Sequence, residues 1–221
     1  MEKKIRNIIC LLAITLLLVP ALAFSQVTIY TDETTYVAAL SSLGYSILSE
    51  GFEDNATWGS TRFLTNPLGV ASVTSQGIVW TSNHPANKVS TSDGAAWTGD
   101  WGVFSNPHGD LTDSSGFIHD GLIGTKTSPG KLYGVGGWFR GTGTPDVKID
   151  LILDGDEANP IGLGIIDDMH RFYGVIRTTG FTSFEIRETE GKPADQKFVF
   201  ADDFTFAITA PAGNNPPVAN A

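Results

Sequence analysis

The sequence predicts an all-β protein, an antiparallel two-sheet sandwich with one short helix near its N-terminus. Ten segments are short and rich in β-branched and aromatic residues: YSILSEGFED, GVASVT, GIVWTS, WGVFS, KLYGVGGWFRG, DVKIDLILDG, NPIGLGII, FYGVIRT, FTSFEIRET and KFVFADDFTFAI. Clusters of Gly, Pro, Asn and Asp separate them, from a total of 25 glycines and 11 prolines. Only one window has helical instead of alternating spacing. Short strands at this spacing pack as two sheets face to face.

Residues 1–25 open with the basic MEKKIR, continue through the apolar IICLLAITLLLVP and close on the small residues of ALAFS, the three-part pattern of a secretory signal peptide. Cleavage after Ala23 or after Ser25 fits that pattern; the second frees Gln26 at the head of a strand. No later segment has an apolar run long enough to span a bilayer, so no membrane insertion is expected once the signal is removed. The single cysteine, Cys10, lies in the signal, and the mature chain is expected to have neither disulfide nor thiol chemistry. Removing Glu2, Lys3, Lys4 and Arg6 from 14 basic and 24 acidic residues leaves 11 and 23, a net charge of −12, which argues against a nucleic-acid partner.

The mature domain is expected over residues 26–210. QVTIYT (26–31) is a short strand. In DETTYVAALSSLG, Asp32 caps a helix whose Tyr36, Ala39, Leu40 and Leu43 share one side, and Gly44 stops it. The strands follow in the order given above. Residues 211–221, rich in Pro and Asn, form a linker into a possible next module. In VFADDFTFAI (199–208) alternation puts Phe200, Phe204, Phe206 and Ile208 on one face and Asp202 among them. A carboxylate on such a face must be protonated, paired or bound to a cation.

The pairing of GFED (51–54) with FADDFTF (200–206) resembles the bracket of jelly-roll carbohydrate-binding modules, in which a GFE-type first strand and an aromatic-x-Asp-Asp terminal strand lie together. The early helix, GFED, GVGGWF, RFYGVI…FTSFEIRE and ADDFTF are also similar to bacterial exported proteins of the PEP-CTERM-associated type, and the tail NNPPVANA resembles the start of a PKD or immunoglobulin-like module. The chain departs from the sorting-segment pattern, having no apolar helix after residue 210. The resemblance implies a jelly roll and a structural calcium with Glu53 and Asp202 as ligands and Asp203 as a substitute or supporting group, backbone carbonyls completing the shell. From the residues alone, Asp202 could instead accept from backbone N–H groups or pair with Arg140, Arg171, Arg177 or Arg187. The acidic turns LDGDEANP, with Asp154, and IIDDMHR, before His170, read as solvated turns.

A binding role rests on aromatics. Trp97 and Trp101 stand four apart among Gly, Asp and Asn, with Asp100 and Asn106 close by in sequence. Indole faces stack on sugar rings while Asp and Asn bond hydroxyls, so polysaccharide or cell-surface glycan is the expected partner; the competing expectation is that both indoles close the core. Trp80 and Trp138 fall within strand patterns and are assigned structural roles, whereas Trp58 fits either. The chain has no G-x-S-x-G, H-E-x-x-H or phosphate loop, and His108 and His119 with Asp110, Asp113 and Asp120 form the one stretch that offers the residues of an acid–base or metal site. The expectation is a non-catalytic, secreted or cell-surface binding or adhesion module. A structural spacer and an unrecognised glycan-active hydrolase are the alternatives.

Overall fold

A computed structural model describes residues 27–66, 69–84, 87–105, 119–127, 129–141, 147–189 and 197–209. The signal peptide, the C-terminal linker, Asn106, His108, Asp110 and Asp113 lie outside the described residues. In chain order the elements are β1 (Val27–Tyr30), α1 (Glu33–Ser42), β2 (Ser46–Glu50), the single-turn α2 (Asn55–Trp58), β3 (Ser72–Ser75), β4 (Ile78–Ser82), β5 (Val89–Ser92) and β6 (Gly102–Ser105). After these come β7 (Gly121–Lys126), β8 (Leu132–Gly141), β9 (Val147–Leu153), β10 (Ile161–Ile166), β11 (Arg171–Phe181), β12 (Ser183–Glu188) and β13 (Val199–Thr209).

The strands form two antiparallel sheets, as expected of a jelly-roll sandwich. One runs β1-β11-β8-β13-β6-β5, with β2 also on β13; the other runs β10-β9-β12-β7-β4-β3. Between them lies an aromatic core of Phe52, Trp58, Trp80, Phe184, Phe204 and Phe206, all essentially without exposure. Trp80 meets Phe204 edge-on at 5.1 Å between centroids, and Phe52 meets Trp58 at 4.8 Å, the geometry the ring quadrupole favours. Trp58 and Trp80 are thus both core residues. Among the described residues no helix is long and apolar enough to cross a membrane.

Strand β7, in the middle of the second sheet, has no counterpart among the predicted segments. Its sequence GLIGTK is interrupted by glycines that break the alternating pattern, and Gly124 is needed for packing: a Cβ there would stand 2.2 Å from the Phe184 ring.

Helix α1 lies on the outer face of the first sheet. Asp32 caps it, accepting from Thr35 N at 2.8 Å and Thr35 Oγ1 at 2.7 Å, and Gly44 follows its end at φ +73°. Tyr36 and Leu40 are buried against β8 and β11, and Tyr36 Oη donates to Thr205 O at 3.1 Å. The Tyr36 ring rests on the cross-strand pair Gly136 and Gly174, where a Cβ would come within 2.8 Å of it. Leu43, expected on the buried side, is 37% exposed; it is the C-cap residue, past the last helical residue Ser42.

Strand β13 departs from strict alternation. Its register on β8 shifts between Asp202 and Thr205, and Asp203 takes φ +46°, so two residues oppose Gly137. The bulge inverts the faces: Ala201, Phe204 and Phe206 point into the core, whereas Phe200 packs outside it with Phe104 and Ala95. Asp202 pairs with Trp138 and therefore shares the outer face with it, contrary to the expectation that it lies beside Phe204. The free edge of β13 is divided at this bulge, β6 pairing with Phe200 and Ala201 and β2 with Phe204 to Thr209.

Candidate functional site

Three segments converge where β13 changes partners. GFED follows β2, and Ala96–Trp101 precedes β6, so both arrive at the bulge that carries Asp202 and Asp203. GFED is itself a turn and not a strand: β2 ends at Glu50, and Phe52 adopts φ +62° with its N–H donated to Glu50 Oε1 at 2.8 Å. That turn drives the Phe52 ring into the core and leaves Glu53 facing outward.

The carboxylates hold the 97–101 loop by its backbone. Asp202 Oδ2 accepts from Trp97 N at 2.6 Å and Thr98 N at 3.1 Å, and its Oδ1 accepts from Asp203 N at 2.7 Å. Asp203 Oδ2 accepts from Thr98 Oγ1 at 2.6 Å. Glu53 Oε1 accepts from both Asp100 N and Trp101 N at 2.9 Å, and Gly99, at φ +66°, leaves room for it. Asp202 has no exposure, and burial pushes its carboxyl up to about 7, against the N–H groups of Trp97, Asp203 and Thr98, which favour the ionised form; the neighbouring Asp203 charge adds to the rise. Three of the four candidate arginines have other partners: Arg171 with Asp167, Arg177 with Asp154, and Arg187 with Glu185 and Glu157. Asp154 is a turn residue, as expected, and also binds Thr182 N at 2.7 Å.

The loop so held presents Trp97, which is 45% exposed. Its ring stacks on Trp138 at 4.2 Å between centroids and 17° between planes, and His170 leans on it at 5.2 Å. Trp138 meets Phe172 edge-on, and its indole N–H donates to Glu33 Oε2 at 3.1 Å. This aromatic wall borders an open cleft of about 650 Å3 between the start of α1 and the start of β11. Asp32, Glu33 and the threonines Thr31 and Thr34 line one side, and His170, Arg171 and Tyr173 the other. Hydrogen bonds from the Thr35 hydroxyl and N–H hold the Asp32 carboxyl below its ordinary range, and Arg171 with the Met169 N–H does the same for Asp167. Burial lowers His170, as does the nearby Arg140 charge, against the 3.3 Å contact with Ala95 O, so the site favours the neutral ring.

The predicted binding residues therefore separate. Trp97 stands at the cleft, but Trp101 packs against the core margin with the Arg62 guanidinium 4.1 Å from its ring centre, and Asp100 belongs to the Glu53 side of the loop. Trp138, assigned a structural role from its strand, forms the base of the aromatic wall. Its position was readable from GVGGWFRG: with Phe139 directed into the core, Trp138 and the glycines at 134 and 136 must face outward. Asp32, Glu33 and His170 reach the cleft only through the packing of α1 and the β10–β11 turn. His119 lies elsewhere, 3.7 Å from Glu188.

The calcium expectation meets a specific geometry. Glu53, Asp202 and Asp203 converge on one loop, yet the oxygens described above are directed at N–H and O–H donors. Among the described residues no group of three or more His, Cys, Asp or Glu side chains is placed to hold a metal.

No family model matches the sequence, and no curated protein matches it. Among solved structures, the chain is similar to the CBM22-1 and GH10 modules of endo-1,4-β-D-xylanase 10B from Clostridium thermocellum in complex with xylohexaose, with a TM-score of 0.45 and 13% identity over 75% of this chain and 29% of that one. It is similar to TmCBM61 in complex with β-1,4-galactotriose, with a TM-score of 0.38 and 16% identity over 72% of this chain and 99% of that one. It is also similar to a cleaved adhesin domain of Lys-gingipain from Porphyromonas gingivalis, with a TM-score of 0.45 and 12% identity over 73% of this chain and 97% of that one.

Proposed function

We propose that this domain is a non-catalytic glycan-binding module of an exported protein, and that the ligand lies along the Trp97–Trp138 wall. One observation carries the reading: a half-exposed indole, stacked on a second indole and locked by its own backbone, stands beside an open cleft fringed with hydroxyls and carboxylates. A flat apolar surface beside fixed hydrogen-bond acceptors is what a pyranose ring requires, C–H groups on one side and hydroxyls around the rim. A rigid platform also lowers the ordering cost of binding.

The ionisable groups of the cleft support binding in preference to catalysis. A general acid needs a carboxyl that keeps its proton near neutrality, and Asp32 in the cleft, like Asp167 beyond it that pairs with the lining Arg171, is held in the opposite direction. Glu33 is engaged by the Trp138 indole and His170 by Ala95 O. Export and a surface setting rest on the signal-like N-terminus and the Pro/Asn-rich tail. A structural calcium at Glu53, Asp202 and Asp203 is a separate proposal, supported by their convergence on one loop; chelation tests it.

The test is titration with a panel of soluble polysaccharides, read by calorimetry and by tryptophan fluorescence. Wild type is expected to bind at least one polymer, and Trp97→Ala to weaken it about 10- to 100-fold, the loss of one stacked ring, while lowering the melting temperature by no more than a few degrees for the stacking lost on Trp138. Unaltered affinity in Trp97→Ala would remove the wall from the mechanism.

A further inference from the structure

We infer that the cleft selects uncharged pyranose polymers and discriminates against polymers of uronic or sulfated sugars. This rests on the glycan-binding reading and specifies its ligand from the charges fixed around the aromatic wall.

The negative groups are placed and held. Asp32 is tied to the first turn of α1 through Thr35 N and Thr35 Oγ1, so its second oxygen is oriented and its charge persists at neutral pH. Glu33 binds the Trp138 indole N–H, which sets a carboxylate against the platform on which a sugar would lie. Both are good acceptors for sugar hydroxyls and repel a sugar carboxylate or sulfate.

The positive groups near the wall are already engaged. Arg171 places a guanidinium nitrogen 2.5 Å from Asp167 Oδ2, a pair that contributes no net charge. Arg140, two residues along β8 from Trp138, donates to Gly94 O and lies over the Phe200 ring at 4.8 Å. His170 contacts Ala95 O at 3.3 Å, and burial and the Arg140 charge disfavour its charged form. Anionic sugars are recognised by cations with bidentate freedom, whereas Arg171, the one arginine lining the cleft among the described residues, is paired with Asp167, and Arg140 beside the wall is held by Gly94 O. The net charge of −10 extends the same bias to approach from solution.

The experiment compares neutral polymers (mixed-linkage β-glucan, β-1,4-xylan, β-1,4-galactan) with polygalacturonate and alginate by calorimetry at pH 7.5, in wild type, Trp97→Ala and the double variant Asp32→Asn/Glu33→Gln. Asn keeps the helix cap and Gln keeps an oxygen for the indole N–H, so both substitutions preserve the fold. The expected result is a neutral polymer bound at least about tenfold more tightly than either acidic one, with the gap narrowing in the double variant and binding weakened about 10- to 100-fold in Trp97→Ala. Acidic polymers bound as tightly as neutral ones, through Trp97, would overturn the charge selection and leave glycan binding standing. Absence of binding to every polymer, or binding indifferent to Trp97, would overturn both.

Discussion

Replacing Asp202 with Asn separates the two opposing effects of its burial. The wild-type carboxylate supplies acceptors to Trp97, Thr98 and Asp203 N–H groups but is removed from water, and its proton is held up to about 7 compared with an ordinary 3.8. Because the folded state binds this proton more tightly than the unfolded chain, the contribution is fully present below about pH 4 and is lost as pH rises through 7. The gap between 3.8 and about 7 is worth about 4 kcal/mol at most. Asn keeps the shape and one acceptor oxygen and does not titrate; it places an NH2 group where the Asp203 N–H looks for an acceptor, at a cost of about 1–3 kcal/mol independent of pH. In chelator, urea denaturation at pH 5, 6, 7 and 8 should therefore show Asp202→Asn below wild type at pH 5, with the difference moving in favour of the variant by about 2.7 kcal/mol between pH 5 and pH 8, the two pH units below 7 at about 1.4 kcal/mol each. Using the difference between the two proteins cancels the opposite trends of Asp32, Asp54, Asp154 and Asp167, whose carboxyls are all lowered. A difference that is flat, or that moves in favour of wild type as pH rises, would refute the argument, since it would mean that the carboxylate is stabilised as an anion.

The same residue reports on calcium: if the cation binds Glu53, Asp202 and Asp203, EDTA should lower the melting temperature, with about 2.7 kcal/mol of linkage at one hundred times Kd, Asp202→Ala should erase that response, and Asp154→Ala should keep it. Gly136→Ala and Gly174→Ala should each cost about 1–3 kcal/mol in thermal unfolding, because the added methyl meets the Tyr36 ring within 2.8 Å; an unchanged melting temperature would show that α1 can lift from the sheet. Phe52→Ala, which empties a place bounded by Trp58, Trp80 and Phe204, should cost about 3–5 kcal/mol, measured by chemical denaturation.

Class and most elements were legible because they depend on local patterns. Asp32, Tyr36, Leu40 and Gly44 mark α1 by spacing and capping alone, whereas the polar neighbours of Trp97 and Trp101 mark both alike and only the structure separates the exposed Trp97 from Trp101 at the core margin. What stayed hidden depends on long-range pairing. Alternation cannot reveal that Asp203 adopts φ +46° and reverses the faces of β13, since Asp enters that region at modest cost and leaves no sequence mark. Strand β7 was masked by Gly124, whose lack of side chain is explained only by the Phe184 ring on the neighbouring strand. Glu53 and Asp202 meet at one loop, but what they share, the N–H groups of residues 97–101, belongs to a third segment that neither motif shows.

The division of the β13 edge explains why a loop there can carry a binding surface. A strand that changes partners midway leaves backbone groups and a carboxylate without ladder neighbours, and burying them unsatisfied would cost several kcal/mol. The loop before β6 gives its own N–H groups to the Asp202 carboxylate, so the bonds that satisfy that buried group also fix Trp97. Its indole then lands on Trp138, the cross-strand partner of Asp202, because both residues lie on the outer face to which the bulge has turned that carboxylate. Stability and site geometry are in this way drawn from one set of contacts: weakening the clamp at Asp202 should loosen the platform, whereas removing the Trp97 ring leaves the backbone clamp intact. The asymmetry distinguishes a positioning residue from a contacting one, and calorimetry of Asp202→Asn beside Trp97→Ala, with the fold monitored by circular dichroism, reads it directly.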